Sequence, residues 1–317
     1  MSSLALLPLL AICGPTAAGK TELAIACALR LNGEMIGGDA LQVYRHMDIG
    51  TAKPTPEQRA LAPIHLIDCV EPGEPYSVAQ YQKDALEAIA EVHERGNLPI
   101  LAGGSGLYMR SVTDRLDLPI APADPELRRR LEEEASRFGP LHLHARLAEV
   151  DPRAAQRIEP HNVRRVIRAL EVHSLTGRPM SEFHNLDRDS QPRYNLLEIG
   201  LSLPREELCA RIEARIEAMM AAGFAQEVKG LLERGFDETI LPMQALGYRH
   251  IAAALAGRCD VLEAVRLLKR DTRRYAKRQM TWFRADKRIR WLDAREPVEV
   301  LSERVANMAR EQFGLME

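Results

Sequence analysis

The sequence predicts an α/β fold with a parallel sheet core, an inserted and mostly helical domain, and a helical C-terminal region. Over about the first 115 residues, short apolar runs that end at glycine alternate with amphipathic helical segments, as in a doubly wound sheet. Beyond the proline-rich stretch 117–125, helical patterns dominate. We therefore expect a core of residues 1–115 and 195–317, and an inserted domain of residues 116–194.

The individual elements follow from these patterns. Strands are predicted at 9–13, in a run that ends at Gly37, at 64–69, at 98–102 and within 191–204, because each is a short apolar run bounded by turn residues. Helices are predicted at 21–31, 77–96, most of 126–178, 205–222, 225–234, 244–256 and 260–283. Ser77 is the expected N-cap of the second helix, and turn residues at 139–140, 151–152 and 160 divide the segment 126–178.

The composition narrows the class of protein. The chain has 317 residues, of which 46% are hydrophobic and 28% charged, as is ordinary for a globular enzyme. Five scattered cysteines form no C-x-x-C pair, which favours reduced thiols in a cytosolic protein and argues against a cysteine-based zinc site. No apolar run approaches the ~18 residues of a membrane span. We expect a cytoplasmic monomer with no membrane partner.

A phosphate loop is the most specific motif. Residues 14–21 read GPTAAGKT and match G-x-x-x-x-G-K-[ST], with a strand before and a helix after. Backbone N–H groups at a helix N-terminus bind anions, a lysine adds positive charge, and a threonine hydroxyl can hold Mg²⁺. The motif predicts a P-loop NTPase-like core that binds a di- or triphosphate. The predicted diphosphate-binding residues are Gly14, Pro15, Thr16, Ala17, Ala18, Gly19, Lys20 and Thr21.

Three further features could serve phosphate chemistry. Asp39 follows the second strand, where ligands of open α/β sheets bind, so it is a candidate general base or, alternatively, a helix cap or Mg²⁺-shell carboxylate. Asp68 ends the third apolar run and is either a Mg²⁺-directing carboxylate or an ordinary strand-end residue. The glycine-rich turn 103–106 either admits a ligand close to the backbone or is a simple tight turn.

Seven blocks, in order along nearly the whole chain, resemble the tRNA dimethylallyltransferases, also called tRNA isopentenyltransferases. They are DALQVY (39–44), MDIGTAKP (47–54), HLID (65–68), GGSGLY (103–108), RALEV (168–172), GYR (247–249) and KRQMTWFR (277–284). The resemblance implies transfer of a dimethylallyl group from dimethylallyl diphosphate to N6 of the adenosine 3′-adjacent to the anticodon of a tRNA, with release of diphosphate. Since no Cys/His zinc module follows the core, the bacterial form is expected.

The resemblance also implies residue roles. Asp39 is the expected base, Thr21 and Arg215 are expected to stabilise the diphosphate, and Thr21 is the expected Mg²⁺ ligand. The implied contacts with the tRNA anticodon stem-loop are Asp39, Ala40, Leu41, Gln42, Ser105, Arg128, Arg164, Arg165, Val166, Ile167, Arg168, Gln244, Ala245, Leu246, Gly247, Tyr248 and Arg249. Ala18 and Ala40 depart from the family pattern, which has serine at both positions, so each lacks one hydroxyl contact.

The charge distribution bears on the partner. The net charge is −2 overall, but residues 265–290 contain 11 basic and 2 acidic residues, a net charge of +9. The residues Arg266, Arg270, Arg273 and Lys277 recur on one helix face, flanked by Arg274 and Arg278, and we expect this stripe to bind a phosphate backbone. Arg211 is expected to be solvated. Trp282 and Phe283 could stack on a base, although core packing is expected for at least one of them.

Three other functions remain open. An ATP-dependent small-molecule kinase would share the fold class, and an isopentenyltransferase acting on a free adenine nucleotide would share the chemistry. The basic segment argues against both, because neither substrate requires it. A non-enzymatic RNA-binding module is the third alternative, and the intact Lys20, Thr21 and Asp39 argue against it.

Overall fold

The structure is a computed structural model that describes residues 6–119, 124–183 and 193–315. The chain divides into two compact units. The described residues of the first unit are 6–74, 82–113 and 193–315, and those of the second are 75–81, 114–119 and 124–183. The segment 75–81 belongs to the second unit although no break in the sequence pattern marks it.

One parallel sheet forms the centre of the first unit. Its strands are β1 (Pro8–Cys13), β2 (Gly33–Gly37), β3 (Ile64–His65), β4 (Leu98–Gly103), β5 (Asn195–Ser202) and β6 (Arg290–Asp293). The order across the sheet is β3-β2-β4-β1-β5-β6, and every neighbouring pair is parallel. β1 lies between β4 and β5, and its residues 9–13 are buried, as expected for a strand covered on both faces.

Helices account for most of the remaining chain. They are α1 (Lys20–Leu31), α2 (Pro56–Leu61), α3 (Val78–Glu94), α4 (Gly106–Thr113), α5 (Pro125–Phe138), α6 (Pro140–Val150), α7 (Pro152–Arg157), α8 (Val163–Thr176), α9 (Met180–Phe183), α10 (Arg205–Ala221), α11 (Phe224–Glu233), α12 (Tyr248–Leu255), α13 (Val261–Arg284) and α14 (Val298–Phe313). The predicted α/β class is confirmed. The expected N-cap is confirmed too, since the Ser77 hydroxyl accepts a hydrogen bond from the backbone N–H of Gln80 at 3.1 Å.

Some elements differ from the prediction. β3 ends at His65 rather than at residue 69, because Leu66 and Asp68 have φ angles of +61° and +56°, which strands do not accommodate. β6 and α14 were not predicted. α12 begins at Tyr248, after a 3₁₀ turn at Pro242–Gln244. The predicted breaks inside 126–178 are confirmed, and one of them is capped by Asp151, which accepts from the backbone N–H of Ala154 at 2.9 Å.

One hydrophobic core of the first unit lies on the α1 and α14 side of the sheet. Leu10 and Ile12 of β1 and Ile199 of β5 are fully buried there, together with Leu23 of α1 and Val305 of α14. Each such side chain contributes about 1.5–3 kcal/mol through the apolar surface that it removes from water. This core fixes β1 and α1, and therefore the loop between them.

A buried carboxylate ties together the amino-terminal ends of β2 and β4. Glu34 accepts two hydrogen bonds from the Arg95 guanidinium at 2.8 and 2.9 Å and one from the Asn97 amide at 2.7 Å. The His65 ring lies 2.6 Å from the same carboxylate. These contacts, led by Arg95, lower the pKa of Glu34 to about 2.

We expect Glu34→Gln to destabilise the protein by about 2 kcal/mol at pH 7. Because the folded state depresses the pKa of Glu34 from 4.5 to about 2, its contribution is complete above pH 5 and is lost as the pH falls from about 5 to about 2. Urea unfolding of wild type and variant across this range measures the difference. Glu91→Gln, which removes an exposed partner 3.9 Å from Arg95, is the control. A difference that does not shrink on acidification would contradict this role.

Candidate functional site

The phosphate loop connects β1 to α1 and has the expected geometry. Gly14 has a φ angle of +142°, and a Cβ atom there would lie 2.8 Å from the carbonyl oxygen of Leu201 on the neighbouring strand. Gly19, the N-cap of α1, has a φ angle of +89°. Both positions therefore require glycine. The loop lies at the N-terminus of α1, where the helix dipole favours an anion.

Positive charge is concentrated beside this loop. Lys20 folds back over it, and its Nζ donates to the carbonyl oxygen of Pro15 at 2.7 Å. Burial, together with the nearby Arg215, lowers the pKa of Lys20 to about 8, while Asp39 opposes the shift. Burial also lowers the pKa of Arg215. Two cations that are costly to desolvate thus face one cavity, an arrangement that favours binding of a polyanion.

Asp39 lies at the carboxyl end of β2, held by the glycine-rich turn after β4. Its Oδ1 accepts from the backbone N–H of Leu41 at 2.9 Å, and the Ser105 hydroxyl accepts from the backbone N–H of Ala40 at 3.2 Å. A Cβ atom on Gly103 would lie 2.1 Å from the carbonyl oxygen of Gly38. The glycine at 103 is therefore needed because two protein segments approach closely.

Two cavities of the first unit meet at Asp39. The first has a volume of about 470 Å³ and contains the phosphate loop, with Lys20 and Thr21 in its wall. The second has a volume of about 400 Å³. Its wall includes residues predicted to contact tRNA, namely Ala40, Leu41, Ser105, Gln244, Ala245, Leu246, Gly247 and Arg249. Both cavities are lined by Thr16, Asp39, Thr51, Arg215 and Tyr275, so a group bound in one can reach a group bound in the other.

The wall at residues 48–53 is held by a carboxylate that sequence reasoning missed. Glu227 of α11 accepts from the backbone N–H groups of three successive residues, Asp48, Ile49 and Gly50, at 2.7–3.0 Å. It also accepts from the Tyr248 hydroxyl at 2.7 Å. No local signal identifies it, because the bonded backbone lies 177–179 residues earlier in the chain.

Gln42 joins this wall to the segment that carries Asp39. Its amide Nε2 donates to the carbonyl oxygens of Thr51 and Ala52 at 3.1 and 3.2 Å. Gln42 was predicted to contact tRNA, and it lines the first cavity. Its amide group is engaged in holding the wall in this conformation.

Asp68, which the sequence left as either a Mg²⁺-directing or a structural carboxylate, forms two ion pairs. Asp68 accepts from Lys53 at 2.6 Å and from Arg59 at 2.7 Å, and it lines neither cavity. Lys53 and Arg59 lower its pKa against the effect of burial. Asp68 is an ion-paired carboxylate beyond the end of β3 that links the two ends of the 53–68 connection.

The predicted tRNA contacts lie in different environments. The side chains of Val166, Ile167 and Tyr248 are buried. Arg128 and Arg168 bind the fully buried carboxylate of Glu171 at 2.7–2.9 Å, so they act first as its counter-ions within the second unit. By contrast, the predicted contacts Arg164 and Arg165, also in that unit, are exposed.

The basic helix α13 is more neutralised than its sequence suggests. Arg266 pairs with Glu263 within the helix, and Arg270 pairs with Asp271. Arg273 pairs with Glu213 of α10 at 2.5 Å. Four other basic residues of the segment are exposed and form no ion pair with an acid among the described residues: Lys277, Arg278, Arg284 and Lys287. The charge available to a polyanion lies toward the C-terminal end of α13.

The sequence also led to expectations for two aromatic residues of α13 and for Arg211 of α10. Phe283 is buried, which confirms that at least one of the pair packs in the core. Trp282 is 38% exposed, and its indole covers Gly106, where a Cβ atom would lie 2.2 Å from the ring. Arg211 is exposed, as predicted. Its side chain also lines the first cavity and donates to the carbonyl oxygen of Ala294 at 3.1 Å.

Comparisons with known proteins agree on one family. The family model described as IPP transferase matches residues 42–286. The tRNA dimethylallyltransferase of Carboxydothermus hydrogenoformans is 48% identical over 302 residues, which cover 95% of this chain and 97% of the relative. A tRNA isopentenylpyrophosphate transferase from Bacillus halodurans is 42% identical, with a TM-score of 0.72 and 97% of each chain covered. A eukaryotic dimethylallyltransferase acting on tRNA is 27% identical, with a TM-score of 0.74, and the alignment covers 91% of this chain and 74% of that one.

The depressed pKa of Lys20 makes anion binding dependent on pH. Since its pKa is about 8 in the free protein and a bound anion favours the charged form, binding of inorganic diphosphate at pH 9 is expected to take up about one proton that binding at pH 7 does not. Calorimetry in buffers of different ionisation enthalpy measures the uptake. Lys20→Ala is expected to bind more weakly and to lose the uptake. Equal proton uptake by wild type and Lys20→Ala at pH 9 would contradict the assignment.

Proposed function

The chain belongs to the IPP transferase family, and from this premise we propose that it is a tRNA-modifying prenyltransferase. It transfers a dimethylallyl group from dimethylallyl diphosphate to N6 of the adenosine 3′-adjacent to the anticodon and releases diphosphate. The observation that carries the proposal is the position of Asp39 in the walls of both cavities. One cavity has the phosphate loop for the donor, and the other has the residues expected to meet RNA.

The chemistry requires a base between the two substrates. The exocyclic amine of adenine is a poor nucleophile because its lone pair is delocalised into the ring, so it needs to lose a proton as it attacks. On this proposal, N6 forms a bond to C1 of the prenyl group, the C1–O bond to diphosphate breaks, and the Asp39 carboxylate accepts the proton from N6. The target base must leave the anticodon-loop stack to enter the second cavity.

The leaving diphosphate gains negative charge as the C1–O bond breaks. The backbone N–H groups of the phosphate loop, Lys20 and Arg215 lie in the cavity where that charge develops. Because these groups are already oriented and partly removed from water, they stabilise the charge without reorganisation. On this proposal, Arg215 stabilises the leaving diphosphate, which is the role that the sequence resemblance implies for it.

A magnesium ion is part of the proposal. The Thr21 hydroxyl and the Asp39 carboxylate line the first cavity, and oxygen donors of this kind suit Mg²⁺. Among the described residues there is no group of three or more His, Cys, Asp or Glu side chains that could hold a metal. On this proposal, Thr21 would hold the ion. When bound, the ion would neutralise part of the diphosphate charge.

The exposed end of α13 is the proposed place for the tRNA backbone within the first unit. Arg278 also lines the second cavity, so the basic surface begins where the base would enter. Arg164 and Arg165 of the second unit are proposed as further phosphate contacts. A cytoplasmic, monomeric enzyme completes the proposal. No helix in the described part of the chain is long and apolar enough to cross a membrane.

The function is tested with labelled dimethylallyl diphosphate, Mg²⁺, and either unmodified tRNA or AMP. We expect label on tRNA and none on AMP. Asp39→Asn should retain tRNA affinity within about threefold and lose at least 10²-fold in turnover, because it keeps the shape of the side chain and removes the base. Label on AMP alone would support the free-nucleotide alternative. Equal loss of binding and turnover in the variant would make Asp39 structural.

The RNA surface is tested by the salt dependence of tRNA binding. The double variant Lys277→Glu/Arg278→Glu should weaken binding at least 10-fold and reduce the slope of log K against log salt by about 2, since two phosphate contacts are lost. Arg266→Glu is the matched control, because Arg266 is already neutralised by Glu263 at 2.6 Å. A slope unchanged in the double variant would show that this end of α13 is only a solvated face.

A further inference from the structure

One buried glutamine joins the part of the site that binds the diphosphate to the part that carries the base. Gln279 of α13 is 6% exposed. Its Oε1 accepts from the backbone N–H of Thr16 in the phosphate loop at 2.9 Å, and its Nε2 donates to the carbonyl oxygen of Gly104 at 2.9 Å. A Cβ atom on Gly104 would lie 2.5 Å from Nε2, so the turn is shaped to receive the amide.

The connection continues from Gly104 to Asp39. The next residue, Ser105, donates its backbone N–H to the carbonyl oxygen of Gly38 at 3.4 Å and accepts from the N–H of Ala40 at 3.2 Å. These two contacts flank Asp39. Hydrogen bonds through Gln279, together with the peptide link from Gly104 to Ser105, thus connect the phosphate loop to the backbone on each side of the base.

We propose that Gln279 is a positioning residue that sets the distance between the diphosphate cradle and the Asp39 carboxylate. This inference rests on the proposed function. The residue does not touch the reacting atoms; it acts through Thr16 and Gly104. Although it lies inside the basic stretch 277–284, its burial separates it from the exposed residues Lys277 and Arg278, so its effect is on turnover and donor binding rather than on RNA affinity.

The amide is suited to this task because it offers one acceptor and one donor in a fixed geometry. Methionine has a similar length but offers neither bond, which would free the loop and the turn to move relative to each other. Displacements of about 1 Å at a reaction centre can reduce turnover 10²-fold. A glutamate would accept from Thr16, but when ionised it would oppose the carbonyl oxygen of Gly104. When protonated, it supplies the same acceptor and donor as glutamine.

The first experiment compares the steady-state kinetics of Gln279→Met with wild type. We expect kcat to fall about 10- to 100-fold and the KM for dimethylallyl diphosphate to rise, with the KM for tRNA changed less than about threefold. Thr281→Val is the control, because it removes a hydrogen bond within the same helix, from its hydroxyl to the carbonyl oxygen of Lys277, and leaves the bridge intact. Wild-type kcat and donor KM in Gln279→Met, or a loss confined to the KM for tRNA, would overturn the proposal.

The second experiment gives a readout that loss of stability alone would not produce. The turnover of Gln279→Glu, divided by that of wild type at the same pH, should rise as the pH falls and the new carboxyl group becomes protonated. The ratio reports the new carboxyl group together with its interaction with the charged groups of the cavity wall, which both proteins share: Lys20, Glu22, Asp39, Lys53, Arg211 and Arg215. A ratio independent of pH between 5 and 8 would overturn the proposal.

A third experiment tests the Gln279 bridge independently of the proposed function. If wild type transfers no prenyl group to tRNA, the proposed function is wrong, and calorimetric binding of inorganic diphosphate then tests the bridge. Gln279→Met should bind diphosphate about 10-fold more weakly than wild type, because the loop loses its anchor, while Thr281→Val should match wild type. Wild-type affinity in Gln279→Met would overturn the positioning role.

Discussion

The site is built from irregular chain, and each buried N–H and C=O group in such chain needs a hydrogen-bond partner. At the carboxyl edge of this sheet, long polar side chains supply many of these partners. Glu227 accepts from three successive N–H groups, and Gln42 donates to two carbonyl oxygens. Gln279 accepts from one N–H group and donates to one carbonyl oxygen. Loops held in this way keep one conformation without the regular ladder of a strand, and the geometry of the site depends on them.

The same edge accumulates charge that the fold alone does not stabilise. Lys20 and Arg215 are both partly removed from water, and Asp39 is the carboxylate that offsets their charge most directly. Such a group of charges is costly in the free protein. A bound diphosphate would neutralise these positive charges. The unfavourable burial and repulsion that lower the pKa of Lys20 in the free protein therefore favour binding of an anion.

Local sequence patterns were sufficient to predict the fold class and the phosphate loop. The residues that form these patterns are neighbours in the sequence: an apolar run, a glycine and a lysine lie within a few positions of one another. Such patterns were insufficient where the partner is distant. Gln279 meets Thr16 across 263 residues, and Arg273 meets Glu213 across 60. A count of charged residues within 265–290 misses the second pair, because Glu213 lies outside that segment. The basic stripe was therefore predicted to have fewer acidic partners than it has. β6 was missed because four residues, RWLD, gain their strand conformation from pairing with β5.

Hydrogen bonding also bears on Ala18 and Ala40, the two positions at which the resemblance leads us to expect serine. Ala18 is 1% exposed and packs in the apolar core with Leu23 and Ile25, so a hydroxyl there would need a partner of its own inside the protein. Ala40 contributes to the site through its backbone N–H, which donates to Ser105 whatever side chain is present. Alanine thus fits the apolar surroundings of position 18. At position 40 the contact beside Asp39 belongs to the main chain, so alanine preserves it.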